Sequence, residues 1–539
     1  MWKKADASTW TVTAAACSGG KALPPPERTL PGRLTEAYLG CLFFGLPLAL
    51  HQGFLDLMET KQLFFLATAI VYLLGLSVLC LMKRGRETRS VQGVPSPALG
   101  IADGCMAAFL LAAVLAWFLA GHTPADMMGV YNRYQGVLTW LLYSLLYWGV
   151  LKNPGYAKWS VYAALGGCCI VCLLAAANDF WLDPLHVYRE IAAESQRRYA
   201  STLGNLNMVS SYLSLAIPAL TVWWSMAGTR AETILTGMGL VCCGLGAASA
   251  GSESLALGLI VTAPLLPLAL PDRRSIRRAI LGILLFLVTL TVYGLAERAW
   301  DTRFYTPLFI RLLTRPYVFL PALALCGGAL WLMPRVPHGK ARALRRGCGF
   351  LLLALAVLSV CAVALINTVW WEVPLGRLDP FLRWSDGWGT DRGKIWTFSL
   401  EAFRGASPLQ KLFGGGPGYL YRMDSLHPLF PDAATDTAHN EYLQYLLTCG
   451  ILGLAAYLGL ICALLWQAWR MRRTNPLFTV LFLGALGYAA QATVNIAQPA
   501  VTPLFFVMLA LLRGYAGHAP LRKDGSPPGE SRPIDARYL

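Results

Sequence analysis

Apolar stretches of about 20 residues recur along most of this chain, the length an α-helix needs to cross the hydrocarbon core of a bilayer. Candidate spans lie at roughly 37–54, 63–82, 100–120, 136–151, 157–177, 205–227, 232–250, 254–270, 279–296, 316–333, 349–371, 441–468, 477–494 and 499–516. Only 14% of the 539 residues are charged, against roughly 25% in a soluble domain. The expected fold class is all-α: a polytopic membrane protein of about 12–14 transmembrane helices with one large extracytoplasmic loop.

Orientation follows from the basic residues, because short loops rich in Lys and Arg stay cytoplasmic. The clusters are Lys83-Arg84-Gly85-Arg86, Arg273-Arg274 with Arg277-Arg278, Arg345-Arg346, and Arg470 with Arg472-Arg473. All fall on one side of an arrangement with both termini inside, which accounts for most of the +16 net charge. A soluble basic surface for nucleic acid is not visible, so no nucleic acid partner is expected. Met1–Arg33 has no apolar core of the signal-peptide kind, and residues 1–36 and 517–539 read as cytoplasmic tails. Between them the chain divides into an N-terminal transmembrane bundle over 37–371, an extracytoplasmic loop over 372–438, and C-terminal transmembrane helices over 439–516. The expected location is the cytoplasmic (inner) membrane. The cysteines fall in or beside expected spans or in the tail, with no CxxC pair, and Cys168-Cys169 and Cys242-Cys243 read as small apolar packing residues.

Long loops without regular structure are uncommon unless functional, so the segment Glu372–Ala438 stands out. Asp391 can cap a short helix running to Arg404, with Gly405 as its stop and Ile395, Trp396, Ser399, Leu400 and Phe403 as its apolar or small face. The run Gly414-Gly415-Gly416-Pro417-Gly418 then breaks regular structure and allows a close backbone approach to a ligand. It lacks the Lys-Ser/Thr of a P-loop, so a nucleotide is not expected there.

Two constellations carry chemistry. His439 stands where the loop runs into a membrane helix, and a histidine there can act as base, ligand or structural residue. Asp432, Asp436, His439 and Glu441 are metal-type donors without a recognised ligand spacing, so no metal is expected, and Asp436 or Thr437 suits a helix N-cap. The second is a set of arginines on the outer side, Arg133, Arg197, Arg198 and Arg392. Arginine binds phosphate bidentately and stays charged, which suits a diphosphate held without a metal.

At these residues the chain resembles the O-antigen ligase and O-antigen polymerase superfamily. His439-Asn440, nine residues, Gly450, two residues and Gly453 match that family's His-[Asn/Ser/Gln]-x9-Gly-x-x-[Gly/Thr/Tyr] pattern in full. Arg392-Gly393-Lys394-Ile395-Trp396 with Leu412–Gly418 is similar to its Arg-x-x-Ile-Trp helix and glycine turn. Gly204-Asn205-Leu206-Asn207 resembles a Gly-Asn-Pro-Asn span entry, and Arg133-Tyr134-Gln135-Gly136 an Arg-x-x-Gly entry. Where the family carries Ser-Arg-Gly, this chain has Ser252-Glu253-Ser254, so Arg133, Arg197 or Arg198 would have to supply that charge.

The resemblance implies a membrane glycosyltransferase of the GT-C kind, with no metal and no cofactor. It would move a glycan from a polyprenyl-diphosphate carrier to a glycan, lipid or protein acceptor hydroxyl at the outer face of the membrane. His439 would be the general base and Arg392 would neutralise the departing diphosphate. Substrate contacts would come from Arg133, Arg197, Arg198, Asn205, Asn440, Trp396, Gly416 and Gly418. A repeat-unit polymerase and a protein O-glycosylating ligase would use the same motif. A glycolipid transporter or flippase would instead concentrate ionisable residues and broken helices near the midplane.

Overall fold

A computed structural model of the chain describes residues 29–84, 99–155, 158–304, 308–431 and 434–517. Most of the two expected tails, the Gly85-Arg86 end of the first basic cluster, and Asp432 lie outside the described residues. Fourteen main helices cover the expected spans: α1 Leu30–Leu48, α2 Leu57–Arg84, α3 Ile101–Leu119, α4 Val137–Lys152, α5 Lys158–Asp179, α6 Leu206–Met226, α7 Arg230–Ala250, α8 Glu253–Thr262, α9 Arg273–Ala296, α10 Pro316–Leu332, α11 His338–Ile366, α12 Glu441–Met471, α13 Pro476–Gln491 and α14 Thr502–Gly517. Ten of the described helices are long and apolar enough to cross a membrane. The only sheet among the described residues is a two-residue pairing of Tyr199–Ala200 with Gly204–Asn205. The chain is an all-helical, multi-pass membrane protein.

The helices sort by burial. Thr502 to Gly514 of α14 are all buried, so this helix runs through the interior. With 16 residues it is about 24 Å long at 1.5 Å per residue, short for a span but sufficient for a helix enclosed by others. Around it α12 packs on α3, α13 on α6, α5 on α1 and α7, and α4 on α14. An aromatic cluster from Phe109, Trp140, Tyr445, Tyr457 and Phe506 fills the junction of α3, α4, α12 and α14. By contrast, the apolar stretch of α10 buries none of its residues in the described chain, and that of α11 very few. α10 and the part of α11 beyond its basic first turns present apolar faces that suit lipid.

Successive helices alternate in direction, so their ends collect on two faces. On one face Thr202 donates to the Pro47 carbonyl at the end of α1 (2.8 Å), and Tyr293 of α9 donates to Asp179 at the end of α5 (2.7 Å). On the other, Arg513 of α14 pairs with Asp103 of α3 (2.6 Å), and Tyr515 donates to the Gly155 carbonyl (2.9 Å). The second face also carries Arg273, Arg278 and Arg345, which donate to backbone carbonyls of Val336, Ala227 and Leu270. The long loop 372–438 and the starts of α6, α12 and α14 belong to the first face.

Candidate active site

The loop is built onto α12 through backbone. Gly450 interrupts this helix with φ 70° and ψ −173°, a conformation reserved in practice for glycine. A break there leaves carbonyls of the preceding turn without their helical donors. The glycine run supplies them: Gly415 N–H donates to Leu447 O (2.9 Å) and Gly416 N–H to Thr448 O (3.1 Å). A Cβ on Gly450 would fall 2.3 Å from Leu412 O, and one on Gly414 would fall 2.2 Å from Thr448 O. The two motifs are therefore one structural unit. Arg422 secures it, donating to the Pro417 carbonyl (2.8 Å) and the Gly415 carbonyl (2.5 Å) while pairing with Asp126 of the short helix Pro124–Met128 (2.9 Å).

This docking fixes the segment that leads into α12. Asn440 is the N-cap, its side-chain oxygen accepting from the Tyr442 and Leu443 amides, both at 3.0 Å. His439, just before it, has φ 47°. The expected cap, Asp436, is engaged elsewhere: Arg133 grips its carboxylate with two parallel bonds of 2.8 and 3.0 Å. Arg392 donates from Nε to Val494 O (3.1 Å) at the end of α13 and from Nη1 to Gly389 O. Among the described residues its Nη2 has no partner, and neither has the His439 ring.

His439 keeps part of its surface open, yet protein surrounds it on most sides. That burial, then the positive charges of Arg392 and Arg133, hold its pKa down to about 4, with Asp436 pulling upward. At neutral pH the imidazole is uncharged and able to accept a proton. Any anion that neutralises Arg392 and Arg133 removes part of what holds it down, so anion binding strengthens the base.

Beside this group opens a cleft enclosing about 460 Å³ of empty space, part of it open to solvent. Arg133, Gln135, Trp140, Gly418, Asp436, Thr437, Glu441, Tyr445 and Ile496 contribute to its wall, whereas His439 and Arg392 stand next to it. Among the described residues, Gln135 Oε1 and Thr437 Oγ1 of the wall are buried without a partner, and Trp140 Nε1 and Tyr445 OH have at most each other. Buried polar groups are normally paired, so orphans around one cleft mark a place where a polar ligand would be held.

No protein-family model and no curated protein matches this chain.

Several expected site residues serve the fold. Gly416 packs against Ala120 and the Ala116 carbonyl of α3, where a Cβ would meet Ala120 at 2.6 Å, so the close approach made by the glycine run is to helices, with Gly418 alone of the run in the cleft wall. Asn205 caps α6, its side chain accepting from the Asn207 amide (2.9 Å), and the Asn440 side-chain oxygen is committed in the same way to α12. The N-cap oxygen must face its own helix, which leaves it unavailable to a ligand. Arg197 and Arg198 are exposed ahead of the two-residue pairing and do not line the cleft. The buried cation of that region is Arg303, over the Tyr188 ring at 3.7 Å and the Trp181 ring at 4.8 Å. Glu253 accepts from the Leu308 amide (2.7 Å), a task no arginine can perform.

The loop helix Trp388–Gly405 stops at Gly405 as expected, but Gly389, Thr390 and Asp391 are left-handed, so Asp391 is no ordinary extended cap. Its buried face is Gly393, Ile395, Ser399 and Ala402, with Leu400 exposed. Trp396 joins Trp384 and Trp388 in an aromatic group, at 5.6 and 5.3 Å between centroids, and is absent from the cleft wall.

Several members of the site are not marked by the sequence. Asp126 was one of many loop acids, and its pairing with Arg422 spans 296 residues. Gln135 and Tyr445 looked like ordinary helix-entry and core positions. Glu441, weighed only as a metal donor, is fully buried and accepts from Tyr457 and from Tyr488 (2.9 Å). The signal available for Glu441 was its place at the first helical position among tyrosines at 442, 445 and 457.

Proposed function

We propose that this chain transfers a glycan from a polyprenyl-diphosphate carrier to an acceptor hydroxyl at the outer face of the cytoplasmic membrane, as a metal-independent glycosyltransferase. The observation that carries this reading is the convergence of an uncharged histidine, two arginines and a cleft with unpaired polar atoms on one face of a membrane bundle. In the reaction, the acceptor O–H gives its proton to a ring nitrogen of His439 as its oxygen bonds to the anomeric carbon. The bond from that carbon to the diphosphate breaks, and its electron pair leaves on the diphosphate oxygen. The charge growing there is met by Arg392, whose unengaged Nη2 is a donor already oriented by two bonds to backbone carbonyls. Arg133 would exchange its carboxylate partner for a phosphate group, since both accept the same two-pronged geometry.

Loss of the gene should leave surface glycan detached from its acceptor. Long polyprenyl-linked chains would accumulate if the chain acts as a ligase, and single repeats if it is the polymerase of the same superfamily. Normal glycan attachment without the gene would dismiss both.

Two further expectations belong to this reading. Ser425 is exposed on the loop, so Ser425→Cys should react with a membrane-impermeant maleimide in intact spheroplasts, above the background of the unsubstituted chain. Labelling that appears only after lysis would put the loop in the cytoplasm and end the proposal. Arg392→Lys keeps the charge but loses the planar fork, and should raise the donor KM and lower turnover at normal protein levels. Unchanged kinetics in that variant would remove Arg392 from the donor site.

A further inference from the structure

Cys168 and Cys243, read from the sequence as apolar packing residues, meet each other and a third cysteine, Cys172. Cys168 and Cys172 are four residues apart and share one face of α5, and Cys243 of α7 lies against them. The three sulfurs are buried and all lie within 4.8 Å of one another, with Cys168 and Cys243 at 3.6 Å. Close approach of the two helices depends on Gly246, where a Cβ would fall 2.8 Å from the Cys172 sulfur and 3.1 Å from its Cα.

A metal bound equally by three sulfurs at about 2.3 Å sets those sulfurs about 4.0 Å apart. One separation is 3.6 Å and none exceeds 4.8 Å, so small side-chain rotations suffice. The donor set also selects the ion. Thiolates favour soft cations such as Cu(I), and the group offers three sulfurs where zinc prefers four ligands. Cys168 also lines an apolar pocket among α1, α5, α6, α13 and α14 that is open on one side and offers a path to its sulfur.

We propose that Cys168, Cys172 and Cys243 form a three-coordinate site for a soft monovalent cation of the Cu(I) class, which pins α5 to α7. The ion binds without change of oxidation state, and each thiol that coordinates it releases its proton to solvent. This site is separate from His439 and does not depend on the glycan-transfer reading.

The test uses the full chain, reduced, in lipid nanodiscs under anaerobic conditions, with Cu(I) delivered from a bicinchoninate complex whose colour reports transfer. One Cu(I) per chain is expected. Cys168→Ser, Cys172→Ser and Cys243→Ser should each weaken binding at least roughly 10-fold, and Cys449→Ser should not. Gly246→Ala, which retains every sulfur, should weaken it too. In the unsubstituted chain, Cu(I) should protect the three thiols from a lipid-permeant maleimide while Cys361 and Cys462, both exposed, continue to react. That measurement needs no variant to fold. Copper uptake that survives replacement of all three cysteines, tighter binding of Zn(II) than of Cu(I), or isolation of the chain with a Cys168–Cys243 disulfide would each overturn the proposal.

Discussion

Replacing His439 with alanine should lower glycan transfer by roughly 10²–10⁴-fold, the usual contribution of a positioned general base. The chain should still insert and accumulate, because the N-cap of α12 is Asn440 and among the described residues the His439 ring bonds to nothing. The donor should still bind through Arg392 and Arg133. The pH profile supplies a second readout. With its pKa held at about 4, His439 in the free enzyme is protonated only near or below that pH. kcat/KM should therefore stay level from neutral pH downward and fall only through about 4. Bound diphosphate offsets the arginine charges, so the acid limb of kcat should lie at higher pH than that of kcat/KM. Near-normal transfer by a well-folded His439→Ala protein would eliminate the base role. An acid limb of kcat/KM near 6.5 would show that neither burial nor the arginines depress this histidine.

The second large effect is expected at Gly450. An alanine there must adopt a backbone conformation that costs an L-residue of order 1–3 kcal/mol, and its Cβ would lie 2.3 Å from Leu412 O and 2.5 Å from Gly414 N. Backbone cannot rotate aside as a side chain can, so the glycine turn must move off α12 and release the carbonyls of Leu447 and Thr448. Gly450→Ala should lose roughly 3 kcal/mol or more of stability, read as a lowered melting temperature of the purified protein and reduced accumulation. Gly104→Ala is the control: its Cβ would meet nothing within 4 Å on α3, and alanine is the better helix former. Equal behaviour of the two variants would contradict the docking of loop on helix.

The number, order and approximate limits of the helices were legible in the sequence because each depends on a local quantity, the length of an apolar run measured against bilayer thickness. The loop helix and its stop at Gly405 were legible from residue type, a glycine closing a short run with an apolar face. The positions needing glycine at 414, 418 and 450 were marked by the residue itself, but what those glycines face was not. Gly414 and Gly450 face each other's backbone, and Gly416 faces α3, contacts that exist only once the loop folds back on α12. Asp436 satisfied every local rule for an N-cap and lost the position to Asn440, since a partner 303 residues away claims its carboxylate. Arg133, Arg197 and Arg198 were equal candidates by composition, yet only Arg133 reaches the cleft wall. The cysteines of α5 and α7 read as separate packing residues, and helix packing brings three of their sulfurs together. Apolar length and residue type thus determined the helices and the chemical inventory of the chain. Which of those groups share a site was decided by pairings between distant segments, and these form only when the helices pack.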